Sequence, residues 1–185
     1  DLLDAICHTA ATQGGQRVFL RVAPEDPVVD AARLGGFSPA LAEVLYVSHP
    51  EPTRDRRRTP VDGGASGLRR KVPADDYSLF RLHNASTPLE VRASTGMTFE
   101  QWSASNEPLP GTRRELVLDD GGVRGWLSTG RIGPAGVLAA AVQPGWEDRL
   151  PAMVQQAVRA LRGASPVYGL VPEHQTALRC TLEGA

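Results

Sequence analysis

Val137 to Val142 reads VLAAAV, Pro144-Gly145 breaks it, and Glu147-Asp148-Arg149 then opens the segment Leu150 to Leu161. The apolar run is short and has no polar face, as expected of a central strand covered on both sides. After the break, Leu150, Met153, Val154, Ala157, Val158 and Leu161 recur at helical spacing, so one face of a helix is apolar. The acidic pair at its start suits the positive end of the helix dipole. A buried strand feeding an amphipathic helix is the building unit of a sheet with helices on its faces.

Upstream of that run, Arg114 to Leu118 alternates as a strand. Asp119-Asp120-Gly121-Gly122 supplies a turn and Val123 to Thr129 returns, which together read as a hairpin. Downstream, Pro166 to Val171 is one more strand, and Pro172 to Leu182 one more helix with Ala177, Leu178 and Leu182 inward. Three helical stretches precede the hairpin. The first carries Tyr77, Leu79, Phe80, Leu82 and His83; the second opens at Thr87-Pro88 and runs to about Ala93; the third runs from Thr98 to Ala104 and buries Phe99 and Trp102.

The start of the chain repeats the alternation. Leu2, Leu3, Ile6 and Ala10 fall at helical spacing before Gly14-Gly15, which can end a helix because glycine tolerates positive φ. Arg17 to Val22 (RVFLRV) reads as a strand closed by Pro24. Asp26 caps and Pro27 begins a short helix to Leu34; Gly35-Gly36-Phe37 stops it, and Glu43 to Val47 reads as a further strand. From Ser48 to about Ala74 the composition turns to Pro, Gly, Arg and Asp, too poor in large apolar residues to offset ordering entropy, and reads as a solvated tether. Its arginines, Arg54, Arg56, Arg57, Arg58, Arg69 and Arg70, lack interleaved aromatic residues, and Asp55 and Asp62 interrupt them. Nucleic acid is therefore not an expected partner.

A formal charge of −1 over 185 residues gives no one-signed field to steer an anionic partner. The two cysteines, Cys7 and Cys180, lie in separate helical patterns and are expected to be small buried residues rather than a disulfide or metal pair. No apolar run reaches the roughly 20 residues of a membrane span and no charged-then-apolar leader opens the chain, so a cytoplasmic protein without a membrane partner is expected. Asp1 and Ala185 both fall inside helical patterns, which reads as a piece trimmed at both ends.

Helices, a hairpin, a buried strand, a helix, a strand and a helix are the order of the GNAT-type N-acetyltransferase fold, which residues 76–185 resemble up to its penultimate helix. The stretch DLLDAICHTAATQGGQRVFLRV resembles the family's central helix and following strand. DPVVDAARLGGFSPALAEVLYV is similar to its last helix, Gly-Phe turn and final strand. The resemblance implies an α/β (α+β) fold: a mixed central sheet flanked by helices, one nearly complete copy preceded by the end of another. It divides the chain into 1–48, the C-terminal part of a first domain; 49–75, a flexible linker; and 76–185, a second domain lacking its last strands.

In an active member the resemblance would imply acyl-CoA between splayed central strands, its pyrophosphate on backbone N–H groups of a loop of the form Gln/Arg-x-x-Gly-x-Gly/Ala. In this chain Glu147 stands at the Gln/Arg position, Leu150 and Ala152 at the glycines, and Pro151 removes a donor. If acyl-CoA binds, the resemblance places it at Val142, with Arg149 the cation able to reach a phosphate. The family's general-acid tyrosine, four residues before Gly-Phe, corresponds to Ala32, so no catalytic residue is assigned. Glu115 and Glu173 near strand ends read as solvated carboxylates. His8, His49, His83 and His174 are isolated in sequence and no metal is expected. Trp102, Trp126 and Trp146 read as core or rim packing, with Trp126 the one placed to line a cleft.

The functional expectation is an N-acetyltransferase-like protein, acyl-CoA-dependent and acting on a small-molecule amine if active, with acetyl-CoA as cosubstrate. Its second domain is expected to be degenerate, any acetyl transfer depending on a phosphate loop before Asp1. The alternative is a non-catalytic ligand-binding or homodimerising module on the same fold.

Overall fold

The computed structural model describes residues 2–50, 67–105 and 112–184. Residues 1–40 and 41–185 form separate units.

The first unit holds helices α1 (Leu2–Thr12) and α2 (Val28–Leu34). Both end by one device. Gly14 donates its N–H to Ala11 and Gly15 to Ala10; Gly36 donates to Arg33 and Phe37 to Ala32. This is the Schellman pattern, and the left-handed residue it needs is glycine in each case, with φ of 83° at Gly14 and 84° at Gly36. The Gly-Phe turn is thus a local consequence of sequence. Asp26 Oδ1 accepts the N–H of Val28 at 2.8 Å, although the helix begins one residue later than expected, with Pro27 rather than Asp26 at the capping position. Arg17 to Val22 is not the strand expected of it. Strand propensity needs a pairing partner, and this unit contains no described strand to supply one.

The second unit is a six-stranded mixed sheet. Its strands are β1 (Glu43–Ser48), β2 (Leu68–Arg70), β3 (Thr112–Asp119), β4 (Val123–Ile132), β5 (Ala135–Val142) and β6 (Val167–Pro172), in the order β1-β6-β5-β4-β3-β2. Tight turns make β3, β4 and β5 an antiparallel meander. Between β5 and β6 the chain crosses over through α6 (Leu150–Ala160), so these two strands are parallel. After β6 comes α7 (Thr176–Glu183), which starts later than the sequence suggests because Pro172 still belongs to the strand.

Strand alternation sorts the side chains. Leu118, Leu127, Leu138, Ala140, Val142 and Val171 face Leu150, Met153, Val154 and Ala157 of α6 and Leu178 of α7, forming the main core. The other face packs Val117 against Leu79 and Leu82 of α3 (Asp76–Ser86), with Trp126 and with Trp102 of α5 (Phe99–Ser105) alongside. Between α3 and α5 lies α4 (Leu89–Thr95). Gly136, at the start of β5, allows the close approach of the α6 end: a Cβ there would meet that of Ala164 at 3.1 Å. The result is the mixed, helix-flanked α/β sheet that the sequence implied.

Three local expectations change. Glu43–Ser48, read as closing an earlier copy, pairs antiparallel with β6 in this sheet. Its Tyr46 hydroxyl donates to Glu183 Oε1 at 2.6 Å and accepts from Arg179 Nε at 3.3 Å, which ties the strand to α7. Leu68–Arg70, inside the span read as tether, pairs with β3. Arg69 holds it there with a two-pronged bond to Asp75 at 2.7 and 2.8 Å and a third, from Nε, to Asp119 at 2.7 Å. Arg54 and Arg56 to Arg58 lie outside the described residues. Finally, Cys7 is half-buried and Cys180 exposed rather than buried, because Leu178 takes the inward face of α7. Among the described residues no helix is long and apolar enough to cross a membrane.

Candidate functional site

β5 and β6 pair only from Gly136↔Val167 to Leu138↔Gly169, although β5 continues to Val142 and β6 to Pro172. Beyond Leu138 the two strands part. Gly136 N–H donates toward β6, to Pro166, and Gln143 N–H donates toward β4, to Arg124. Backbone groups alternate between the two edges of a strand. Ala140 and Val142 therefore aim N–H and C=O into the gap, past the end of the ladder.

A cleft of about 430 Å³ opens beside this gap on the α3 face of the sheet. Ala139 and Ala141 of β5 and Leu170 of β6 supply its floor; Leu79, Leu82 and His83 of α3 and Trp102 of α5 supply its roof. Aromatic edges hold the roof together. Phe80 packs on Phe99 and on Trp102, each at 5.8 Å between ring centres. A reciprocal capping box fixes the start of α5: Gln101 N–H donates to Thr98 Oγ1 at 3.3 Å and Thr98 N–H to Gln101 Oε1 at 2.9 Å.

The polar wall comes from β3. Arg113 donates from Nε to Ser128 Oγ at 3.1 Å and from Nη2 to Glu115 Oε1 at 3.0 Å; the indole N–H of Trp126 donates to the same oxygen at 3.0 Å. A second ion pair, Lys71 with Asp76 at 2.6 Å, lines the cleft as well. Burial, and then the nearby His174, push the His83 imidazole below its ordinary pKa. Burial does the same to His174, whose ring nitrogens are enclosed and make no hydrogen bond among the described residues. Both imidazoles are thereby favoured in their neutral form near pH 7.

The turn from β5 to α6 is closed on itself. Gly145 N–H donates to both carboxylate oxygens of Glu147, at 3.0 and 2.9 Å. Together with the Glu147 backbone N–H, this holds the carboxyl below the usual carboxylate range. Trp146 N–H donates to Gln143, Arg149 N–H to Trp146 and Leu150 N–H to Glu147 carbonyl oxygens. Pro144 and Pro151 have no amide hydrogen.

Of the residues singled out in the sequence, the structure brings His83, Trp102, Trp126 and Glu115 into the cleft, so Trp102 is cleft lining as well as packing. It leaves Glu173 outside, with its carbonyl accepting from Arg179 at 3.4 Å. Val142 has its side chain in the core, so it offers the gap backbone groups alone. Arg149 lies over the Trp146 ring at 5.8 Å, on the side chain next to the turn. Ala32 is buried in the first unit. Sequence reading missed Arg113, which pairs with a residue two positions on, and the nearness of His83 to His174, which are separated by most of the sheet. The alternation of β3 placed Arg113 and Glu115 on one face, which is the signal that was available. Among the described residues no group of three His, Cys, Asp or Glu side chains gathers as for a metal.

No family model matches the chain, and no curated protein does. Among solved structures it is similar to a spermidine N-acetyltransferase chimera of Vibrio cholerae SpeG and hSSAT, with 14% identity and a TM-score of 0.46 over 63% of this chain and 77% of that one. It is also similar to a GCN5-related N-acetyltransferase from Sphaerobacter thermophilus, with 18% identity and a TM-score of 0.43 over 83% of this chain. It spans about half, 51%, of the latter's length. In element order, mixed sheet and splayed parallel pair, residues 41–185 have the architecture that the sequence resemblance implied.

Proposed function

We propose that the sheet unit is a degenerate N-acetyltransferase-type domain that retains a small-molecule cleft but no longer seats an acyl-CoA pyrophosphate. The observation that carries this reading is the Glu147 carboxylate, which accepts the Gly145 N–H with both oxygens. A turn that binds diphosphate must present unpaired amides and tolerate negative charge. Here an internal anion already occupies the amide and would repel a second one. The amides of Trp146, Arg149 and Leu150 are committed to carbonyls of the turn, and Arg149 lies on Trp146. The residues present do not fit the coenzyme's phosphates.

Isothermal titration of acetyl-CoA into the 185-residue chain is expected to give no binding heat. A micromolar dissociation constant would overturn the closed-turn reading.

A second reading has one observation in its favour. The Ala140 N–H, aimed into the gap beyond the ladder, is placed as a strand amide must be to stabilise a thioester carbonyl under attack by an amine. Thiol release from acetyl-CoA over an amine panel, run on the same preparation, separates the two: turnover supports the active enzyme, its absence the degenerate one.

A further inference from the structure

Arg113 and Glu115 form one preorganised recognition element on the cleft wall. Ser128, itself buried, fixes the guanidinium through Nε; the Trp126 indole and Arg113 Nη2 both donate to Glu115 Oε1. Neither side chain is free to turn away, and each keeps 24% of its surface exposed. Arg113 Nη1 and Glu115 Oε2 make no hydrogen bond among the described residues and are not enclosed. A positive donor and a negative acceptor thus stand side by side, oriented before any ligand arrives.

The charge balance of the cleft narrows what can bind. Its other charged residues, Lys71 and Asp76, pair with each other, so the four charges sum to zero, and burial favours the neutral form of His83. A lone ammonium on Glu115 would meet the Arg113 guanidinium, and a lone carboxylate on Arg113 would meet Glu115. A ligand carrying an ammonium and a carboxylate on one carbon satisfies both groups and keeps the site neutral. Leu79, Leu82, Trp102 and Leu170 offer an apolar remainder somewhere to go. The volume of about 430 Å³ lies within the range of small-molecule sites, roughly 300–1,000 Å³.

We propose that this cleft binds a small zwitterion with an apolar tail, its ammonium on Glu115 Oε2 and its carboxylate on Arg113 Nη1. The proposal rests on the cleft being a ligand site, as in the degenerate-domain reading. Three probes isolate the charges: L-leucine, 3-methylbutylamine, which lacks the carboxylate, and 4-methylpentanoate, which lacks the ammonium. In saturation-transfer NMR and titration calorimetry on the whole chain, leucine is expected to bind about tenfold or more tighter than either single-charge analogue, the weight of one charged hydrogen bond. Glu115→Gln, which still accepts from Trp126, is expected to lower leucine affinity by a similar factor, with near-ultraviolet dichroism unchanged. Arg113→Lys provides a second variant that keeps the charge and loses the fork. Equal binding of the three probes, no binding by any of them at millimolar concentration, or wild-type leucine affinity in Glu115→Gln would each overturn the proposal. Acetyl-CoA titrated into the same sample reports separately on the closed turn, so failure of one reading is distinguishable from failure of the other.

Discussion

Replacing Leu127 by alanine is expected to destabilise the sheet unit by about 3 kcal/mol, the middle of the range for a buried leucine whose cavity cannot collapse. Leu127 lies on β4, is 1% exposed and is held between neighbouring strands and the face of α6. The loss should lower the melting temperature by roughly 6–12 °C for a chain of this size. Leu45, on the edge strand β1, is 56% exposed, and its replacement by alanine should stay within about 0.5 kcal/mol. Chemical denaturation of the two variants checks the contrast. A cost below about 1 kcal/mol at Leu127 would mean that the core does not lie between this sheet and α6.

The second large effect is acid sensitivity centred on Arg69. Its hydrogen bonds hold Asp75 below the ordinary carboxylate range, helped by the Val72 N–H at 2.8 Å; they also lower Asp119, helped by the Gly122 N–H. A carboxylate lowered in the folded state contributes stability that is fully present above its unfolded pKa, near 3.9. That contribution is lost as pH falls through the lowered folded value. Wild-type protein should therefore lose melting temperature progressively below about pH 5. Asp75→Asn should melt lower than wild type at pH 7, and the two curves should converge as pH drops below the folded value. A constant gap between the curves down to the acid limit would show that the carboxylate charge is not what ties β2 and the start of α3 to β3. The effect concerns architecture as well as stability, because Lys71 and Asp76, next in sequence, line the cleft.

Most of the regular elements were legible because their causes are local. The apolar run at Val137 to Val142, the Asp119 to Gly122 turn and the three- and four-residue spacing after Leu150 each reflect a periodicity or a turn chemistry contained within about a dozen residues. The same holds for the helix endings at Gly14 and Gly36, where the conformation demands glycine. Arg17 to Val22 misled for the complementary reason: its composition suits a strand, but a strand is completed only by a partner. Leu68–Arg70 was hidden by the opposite effect. Three residues among arginines carry no periodicity, and only β3 and the Arg69 bonds to Asp75 and Asp119 make them a strand.

By itself, then, the sequence determined the α/β class, the hairpin, the central strand and the acid-and-proline character of the turn after Val142. Tertiary structure decided which strand lies beside β6, where β5 and β6 part, and that Arg113, Glu115, Trp126 and His83 line one cleft. It also decided that the Glu147 carboxylate, though exposed, folds back onto the Gly145 N–H. The physical reason is range: hydrophobic period, capping and turn preference act between residues a few positions apart, whereas strand order and a cleft are set by burial among segments far apart in the chain.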